Sequence, residues 1–206
     1  TPSLSVTQGT DGRILLHDHA GCTVDAIVSA MNLTLADLFA DDKPGPRVPI
    51  SVFDYVDERG VLIYQSLRYP NKPDGKKDFR QRRPDGSGGW VWKIGNVRRV
   101  LYHLDKIQHK EAVYVVEGEK DADRLWALSL PATTNSGGAN VWPENHSEQL
   151  KAAGVKRVAI IPDNDQAGEN HARDVLASCE SVGLSARIVR LPMVEQKGDV
   201  SDWLNS

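Results

Sequence analysis

The 206-residue sequence holds only two cysteines, Cys22 and Cys179. That is too few for a disulfide framework and fits a reducing cytosol. No apolar run approaches the ~18–20 residues that a membrane span requires, and the start has no basic-then-apolar signal pattern. A cytoplasmic protein without a membrane partner is therefore expected. In that compartment the Asn-x-Ser/Thr triplets at Asn32 and Asn145 carry no meaning for glycosylation. No Gly-x-x-x-x-Gly-Lys-Ser/Thr stretch occurs, which excludes P-loop ATPase or helicase chemistry for this chain. Internal repeats and low-complexity tracts are missing as well.

What is present is an ordinary globular composition, 40% hydrophobic and 26% charged, with an uneven charge distribution. The net charge is −3, yet residues 68–99 hold ten Lys/Arg against three Asp, leaving −10 for the rest. A basic block beside an acidic body suits an enzyme that handles a polyanion. Tyr69, Phe79, Trp90 and Trp92 are woven through the block, which weighs against a merely solvated linker, and the tryptophans could stack on bases or be buried.

Three zones follow along the chain. In the first, residues 1–40, Thr23 can cap a helix whose apolar positions Val24, Ile27, Val28 and Met31 keep a 3.6 period. Residues 41–47, with two prolines and a glycine in a polar run, read as a linker. The second zone, 48–110, reads as a small basic subdomain. It has strand-like runs at Val48–Val56 and Val61–Tyr69 around a hairpin loop, and a flexible turn at Pro84–Gly89. The third zone, 111–206, alternates strands and helices. Its strands are Ala112–Val116, Ala132–Asn135, Arg157–Ile161 and Ala186–Leu191; its helices are Asp121–Leu130, Pro143–Ala153 and Ala167–Val182. Such alternation predicts an α/β fold with a mostly parallel sheet covered by helices.

Three of these strands run into acids: Glu117-Gly118-Glu119-Lys120-Asp121, Asp163-Asn164-Asp165, and Asp199-Val200-Ser201-Asp202. Any one of these acids, taken alone, is as well explained as a helix N-cap. Three acidic loops at the carboxyl edge of one sheet are not, because like charges gathered there call for a cation. Oxygen ligands without His or Cys favour magnesium or manganese over zinc.

Val115-Val116-Glu117-Gly118-Glu119-Lys120-Asp121, Asp163-Asn164-Asp165-Gln166-Ala167-Gly168 and Asp199-Val200-Ser201-Asp202-Trp203-Leu204 resemble the TOPRIM domain. That domain is shared by bacterial-type primases, topoisomerases, recombination mediators and some nucleases. The resemblance implies a Rossmann-like sheet with helices on both faces, preceded by a small basic α+β subdomain. It implies catalytic roles for Glu117, Asp121, Asp163 and Asp165, and metal ligation by Glu117, Asp163, Asp165, Asp199 and Asp202. Asp199 and Asp202 are three apart where the family spaces its pair by two, so which one faces the metal stays open.

The stretch from Asp78 to Leu104 looks like the basic part of the polymerase core in phage- and plasmid-type primases. This implies a DNA primase core that joins ribonucleoside triphosphates on a single-stranded DNA template, alongside a replicative helicase, fused or separate. Lys77, Arg80, Arg82, Arg83, Lys93, Lys120, Ser136, Gly137 and Gly138 are the implied template and nucleotide contacts. A TOPRIM nuclease and a non-catalytic recombination-mediator module are the alternatives. Residues 1–22 are similar to the trailing half of the zinc ribbon that precedes primase cores, implying that the chain begins mid-ribbon. Only Cys22 matches a ligand, since Asp18 stands where a cysteine is usual, and zinc is not expected here.

Overall fold

A computed structural model describes residues 3–9, 13–39, 47–137, 142–192 and 195–205. Apart from Arg47, the expected linker lies outside the described residues, as does Gly138. The chain divides into two compact units, Thr1–Val48 and Pro49–Ser206.

In the first unit β1 (Leu4–Gln8) and β2 (Ile14–Asp18) pair antiparallel, followed by α1 (Val24–Ala30) and a short 3-10 turn at Leu35–Leu38. Thr23 caps α1 as expected, its hydroxyl accepting from the Ala26 amide at 3.3 Å. The Asp18 carboxylate accepts from the Cys22 amide at 2.9 Å, so it closes the turn after β2 as a hydrogen-bond acceptor. The same carboxylate raises the Cys22 thiol above its ordinary range, which disfavours the thiolate that a metal needs.

The second unit opens with an antiparallel meander: β3 (Ser51–Val56), β4 (Leu62–Tyr69), β5 (Asp78–Pro84) and β6 (Trp90–Trp92). Periodicity in the basic stretch did not announce β5, which is polar at nearly every position, or β6, which is only three residues long. They exist because β4 offers an edge to pair with and Asp85 organises the hairpin. The Asp85 carboxylate accepts from the Ser87 and Gly89 amides at 2.8 and 2.9 Å.

The chain then builds β7 (Ala112–Val115), α2 (Glu119–Ala127), β8 (Ala132–Thr133), α3 (Glu144–Ala152), β9 (Arg157–Ile160), α4 (Gln166–Ser181), β10 (Ser185–Ile188) and α5 (Val200–Asn205). The four strands form a wholly parallel sheet in the order β10-β9-β7-β8. Reversal of direction after β8, with right-handed crossovers, sets α2 on one face and α3 and α4 on the other. One hydrophobic core joins both sheets. Tyr55, Tyr64, Leu101, Leu104 and Ile107 share it with Val113, Val115, Val158, Ile160 and Val175.

Candidate active site at the carboxyl edge of the parallel sheet

The strand order reverses between β7 and β9, and such a switch point opens a crevice at the carboxyl ends of the two strands. Glu117 follows β7 and Asp163 follows β9. The two loops are tied directly, the Asp163 amide donating to Glu117 Oε1 at 3.0 Å. Gly168, in the first turn of α4, makes this possible. A Cβ there would lie 2.3 Å from Glu117 Oε1 and 2.5 Å from the Asp163 carbonyl oxygen.

Around this pair the structure gathers Asp121 and Asp199. Burial and the carboxylates of Glu117, Asp121 and Asp199 push Asp163 up to about 7. Glu117 is also raised, first by burial, then by Asp165 and Asp121. Asp121, buried on α2, is raised by burial and by Asp199, although its Oδ1 accepts from the amide and hydroxyl of Ser201 at 3.1 and 2.5 Å. Lys77 opposes these effects at both Glu117 and Asp163, so that expected contact does stand beside the acids. Lys120 approaches the third acidic loop, its Nζ lying 3.7 Å from Asp199 Oδ2.

Three of the acids also cap helices. Asp165 is the N-cap of α4, Oδ1 accepting from the Gly168 amide at 2.8 Å. Asp199 and Asp202 cap α5 reciprocally. The Asp202 amide donates to Asp199 Oδ1 at 2.8 Å and the Asp199 amide to Asp202 Oδ2 at 3.1 Å. Asp199 also lines the crevice with Asp163 and Asp165, in a pocket of about 200 Å³ that Asp202 does not reach. Among the described residues no three His, Cys, Asp or Glu side chains stand close enough to enclose an ion as placed. The donor set still fits a hard divalent cation. Several half-buried carboxylates repel one another, so a doubly charged ion on their oxygens would relieve what burial and repulsion cost.

The other basic residues named from the sequence lie on the antiparallel sheet and beside it. Arg80 and Lys93 line a groove with Gln81, Trp92 and Arg99. Gln81 and Arg99 continue into a second cavity with Ser136, Gly137 and His146. Ser136 is held by the Tyr64 hydroxyl at 2.9 Å, and Gly137 takes φ +108°, open to glycine. Arg82 is bonded to Gln65, and Arg83 donates to the Pro84 carbonyl. Sequence reasoning assigned no role to Glu119, Ser201 or Arg99. The buried Glu119 accepts from Tyr55, and Ser201 holds Asp121. Neither partnership has a local signal, because the partners are 64 and 80 residues apart.

Residues 114–204 match a family model described as Toprim-like. Over 98 residues the chain is 31% identical to a DNA primase of Chlamydia trachomatis and 30% to one of Chlamydia muridarum. Each match covers 46% of this chain and only 16% of the primase. The zinc-binding and RNA polymerase domains of the Aquifex aeolicus primase share the fold, with a TM-score of 0.56 at 20% identity over 90% of this chain and 46% of that one. A DNA primase domain from Pseudomonas aeruginosa gives 0.52 at 23% identity, over 93% and 50%. Residues 114–204 thus match a Toprim-like domain, part of the chain is similar to DNA primases, and its fold is shared with primase structures.

Proposed function

We propose that this chain is a catalytic segment of a DNA primase, which joins ribonucleoside triphosphates into short primers on single-stranded DNA. The observation that carries the reading is the convergence of Glu117, Asp121, Asp163 and Asp199 at the switch point of a Toprim-like sheet. Glu117, Asp163 and Asp165 would hold magnesium or manganese, with Asp199 at the rim. The cation would supply Lewis-acid stabilisation of charge on the reacting phosphate oxygens.

The chain's own residues have separable parts in this scheme. Glu117 is fixed by the Asp163 amide and keeps its second oxygen for a ligand. Asp121 is locked by Ser201 and sets the field around Asp163. Lys77 brings a cation to the acidic edge, where an incoming triphosphate would meet it. Arg80, Arg83 and Lys93 offer charges to the template backbone, and Ser136 and Gly137 bound the cavity beside Arg99. A replicative helicase, fused or separate, is the partner that such a core would serve in the cytoplasm.

The test supplies single-stranded DNA, labelled ribonucleoside triphosphates and magnesium or manganese, with products resolved on a denaturing gel. Short labelled oligomers that vanish in Glu117→Gln are expected. Degraded DNA without incorporated label, dependent on the same glutamate, would replace this reading with a TOPRIM nuclease.

A further inference from the structure

The antiparallel sheet carries a row of side chains that the acidic edge does not use. Register sets Asp54 opposite Gln65, Gln65 opposite Arg82, and Arg82 opposite Trp92. Residues directly opposite share a face, and so do residues two apart, so Trp90 joins the same row. Tyr55 and Tyr64 are one residue out of step and occupy the other face, from which Tyr55 reaches Glu119.

The row is bonded along its length. Gln65 Nε2 donates to Asp54 Oδ1 at 2.6 Å, and Arg82 Nε donates to Gln65 Oε1 at 2.7 Å. The Gln65 amide can serve both neighbours in one orientation only, because a carboxylate accepts and a guanidinium donates. Arg82 is therefore held in a fixed plane. Its guanidinium carbon lies 3.8 Å from the centre of the Trp90 ring and 5.7 Å from that of Trp92, within the range of cation–π attraction.

The rings themselves are not buried: Trp90 is 37% and Trp92 50% exposed. Two large rings held stiff in water are costly unless a partner covers them. The surrounding block of residues 68–99 carries an excess of seven positive charges, so that partner is anionic and has flat apolar faces. An unpaired nucleic-acid strand meets both requirements, and a duplex, with its bases stacked inside, does not.

We infer that Trp90 and Trp92 form a stacking platform for unpaired bases, and that Arg82 is a positioning residue that holds both rings through the Asp54–Gln65–Arg82 relay. The inference rests on the single-stranded template reading above. Immobilised rings need lose little further freedom when a base settles on them, and the platform is tolerant of sequence because every base has a π face.

The experiment compares binding of a labelled thymidine oligomer with an abasic oligomer of equal length, by fluorescence anisotropy across a salt series. The wild-type chain is expected to prefer the thymidine oligomer by on the order of tenfold. Trp92→Leu and Trp90→Leu should bring that ratio toward one while affinity for the abasic strand is unchanged. Arg82→Lys keeps the charge but loses the planar stack and the bond to Gln65, so the ratio should fall with the salt slope preserved.

An unaltered ratio in the double tryptophan variant overturns the platform, and an unaltered ratio in Arg82→Lys overturns the positioning role. Tryptophan quenching by the thymidine oligomer and not the abasic one tests the platform without any substitution, and equal quenching overturns it. Wild-type binding without base preference removes the platform alone. No binding of either strand removes the template reading, and the platform with it.

Discussion

The Tyr55 hydroxyl donates to Glu119 Oε1 at 2.9 Å, both groups buried in the seam between the antiparallel sheet and the first turn of α2. Burial and the neighbouring carboxylate hold the Tyr55 hydroxyl well above its usual range, so it remains a donor at any physiological pH. The bond anchors the acidic loop between Glu117 and Asp121. It also ties the antiparallel sheet to the helix that follows the first acidic loop.

Tyr55→Phe should therefore lower stability by about 1–3 kcal/mol, because it strands a buried carboxylate oxygen. Glu119→Gln, which keeps an acceptor for the hydroxyl, should cost less. Urea denaturation checks both. A lower midpoint at unchanged slope is expected, with the larger shift for the tyrosine change.

Gly168→Ala should displace the Glu117 carboxylate or push α4 from the Asp163 loop, since the added carbon has no room beside either. A loss of roughly 1–3 kcal/mol is expected from such overpacking. Manganese affinity, measured by calorimetry, should fall with it. A purely conformational helix effect would instead favour alanine over glycine and leave metal binding intact.

The acidic cluster should make the metal-free chain less stable as pH rises. The folded Asp163 carboxyl titrates near 7, above its ordinary 3.8. Its neutral form is favoured in the folded state, so that contribution is fully present below about pH 4 and is lost as pH rises through about 7. Thermal melts without metal should show this decline. Magnesium should reverse it at pH 8, and Asp163→Asn should flatten it. The gain in Asp163→Asn at pH 8 is expected to be roughly 1–2 kcal/mol, allowing for screening by the solvent that reaches the group. Glu117 and Asp121 are raised as well, so the melts report these carboxyls with Asp163 as a unit.

Charge removal in and beside the basic groove should change salt dependence. Each phosphate contact adds about −0.7 to the log–log slope for single-stranded DNA. Replacing Arg80, Arg83 and Lys93 by Ala should flatten the slope by about 2 if all three meet phosphates. Anisotropy titrations over a range of salt concentrations decide it. An unchanged slope would place the backbone contacts elsewhere.

Much of the site was legible in the chain. Apolar runs such as Val158–Ile161 followed by Asp163-Asn164-Asp165 mark both a buried strand and the charge at its end. Their hydrophobic period and their acids lie within a few residues of each other. The resemblance carried by Glu117, Asp163 and Asp199 added the family. Helix limits came within a few residues, as for α4, expected from Ala167 and beginning at Gln166, because caps and periodicity are local.

Other features depended on partners far along the chain. Asp199 lines the crevice and Asp202 does not, although both cap α5, a short helix that the sequence did not announce. The strand character of Asp78–Pro84 came from pairing with β4, and the Arg82–Trp90–Trp92 row from the register of β5 against β6. The sequence alone determined which segments bury apolar surface and which strand ends carry charge, because both follow from adjacent residues. Only the tertiary structure decided which acids meet, which cap helices and which tyrosine holds the loop, because hydrogen bonds across 46, 64 and 80 residues are fixed by packing and leave no local pattern.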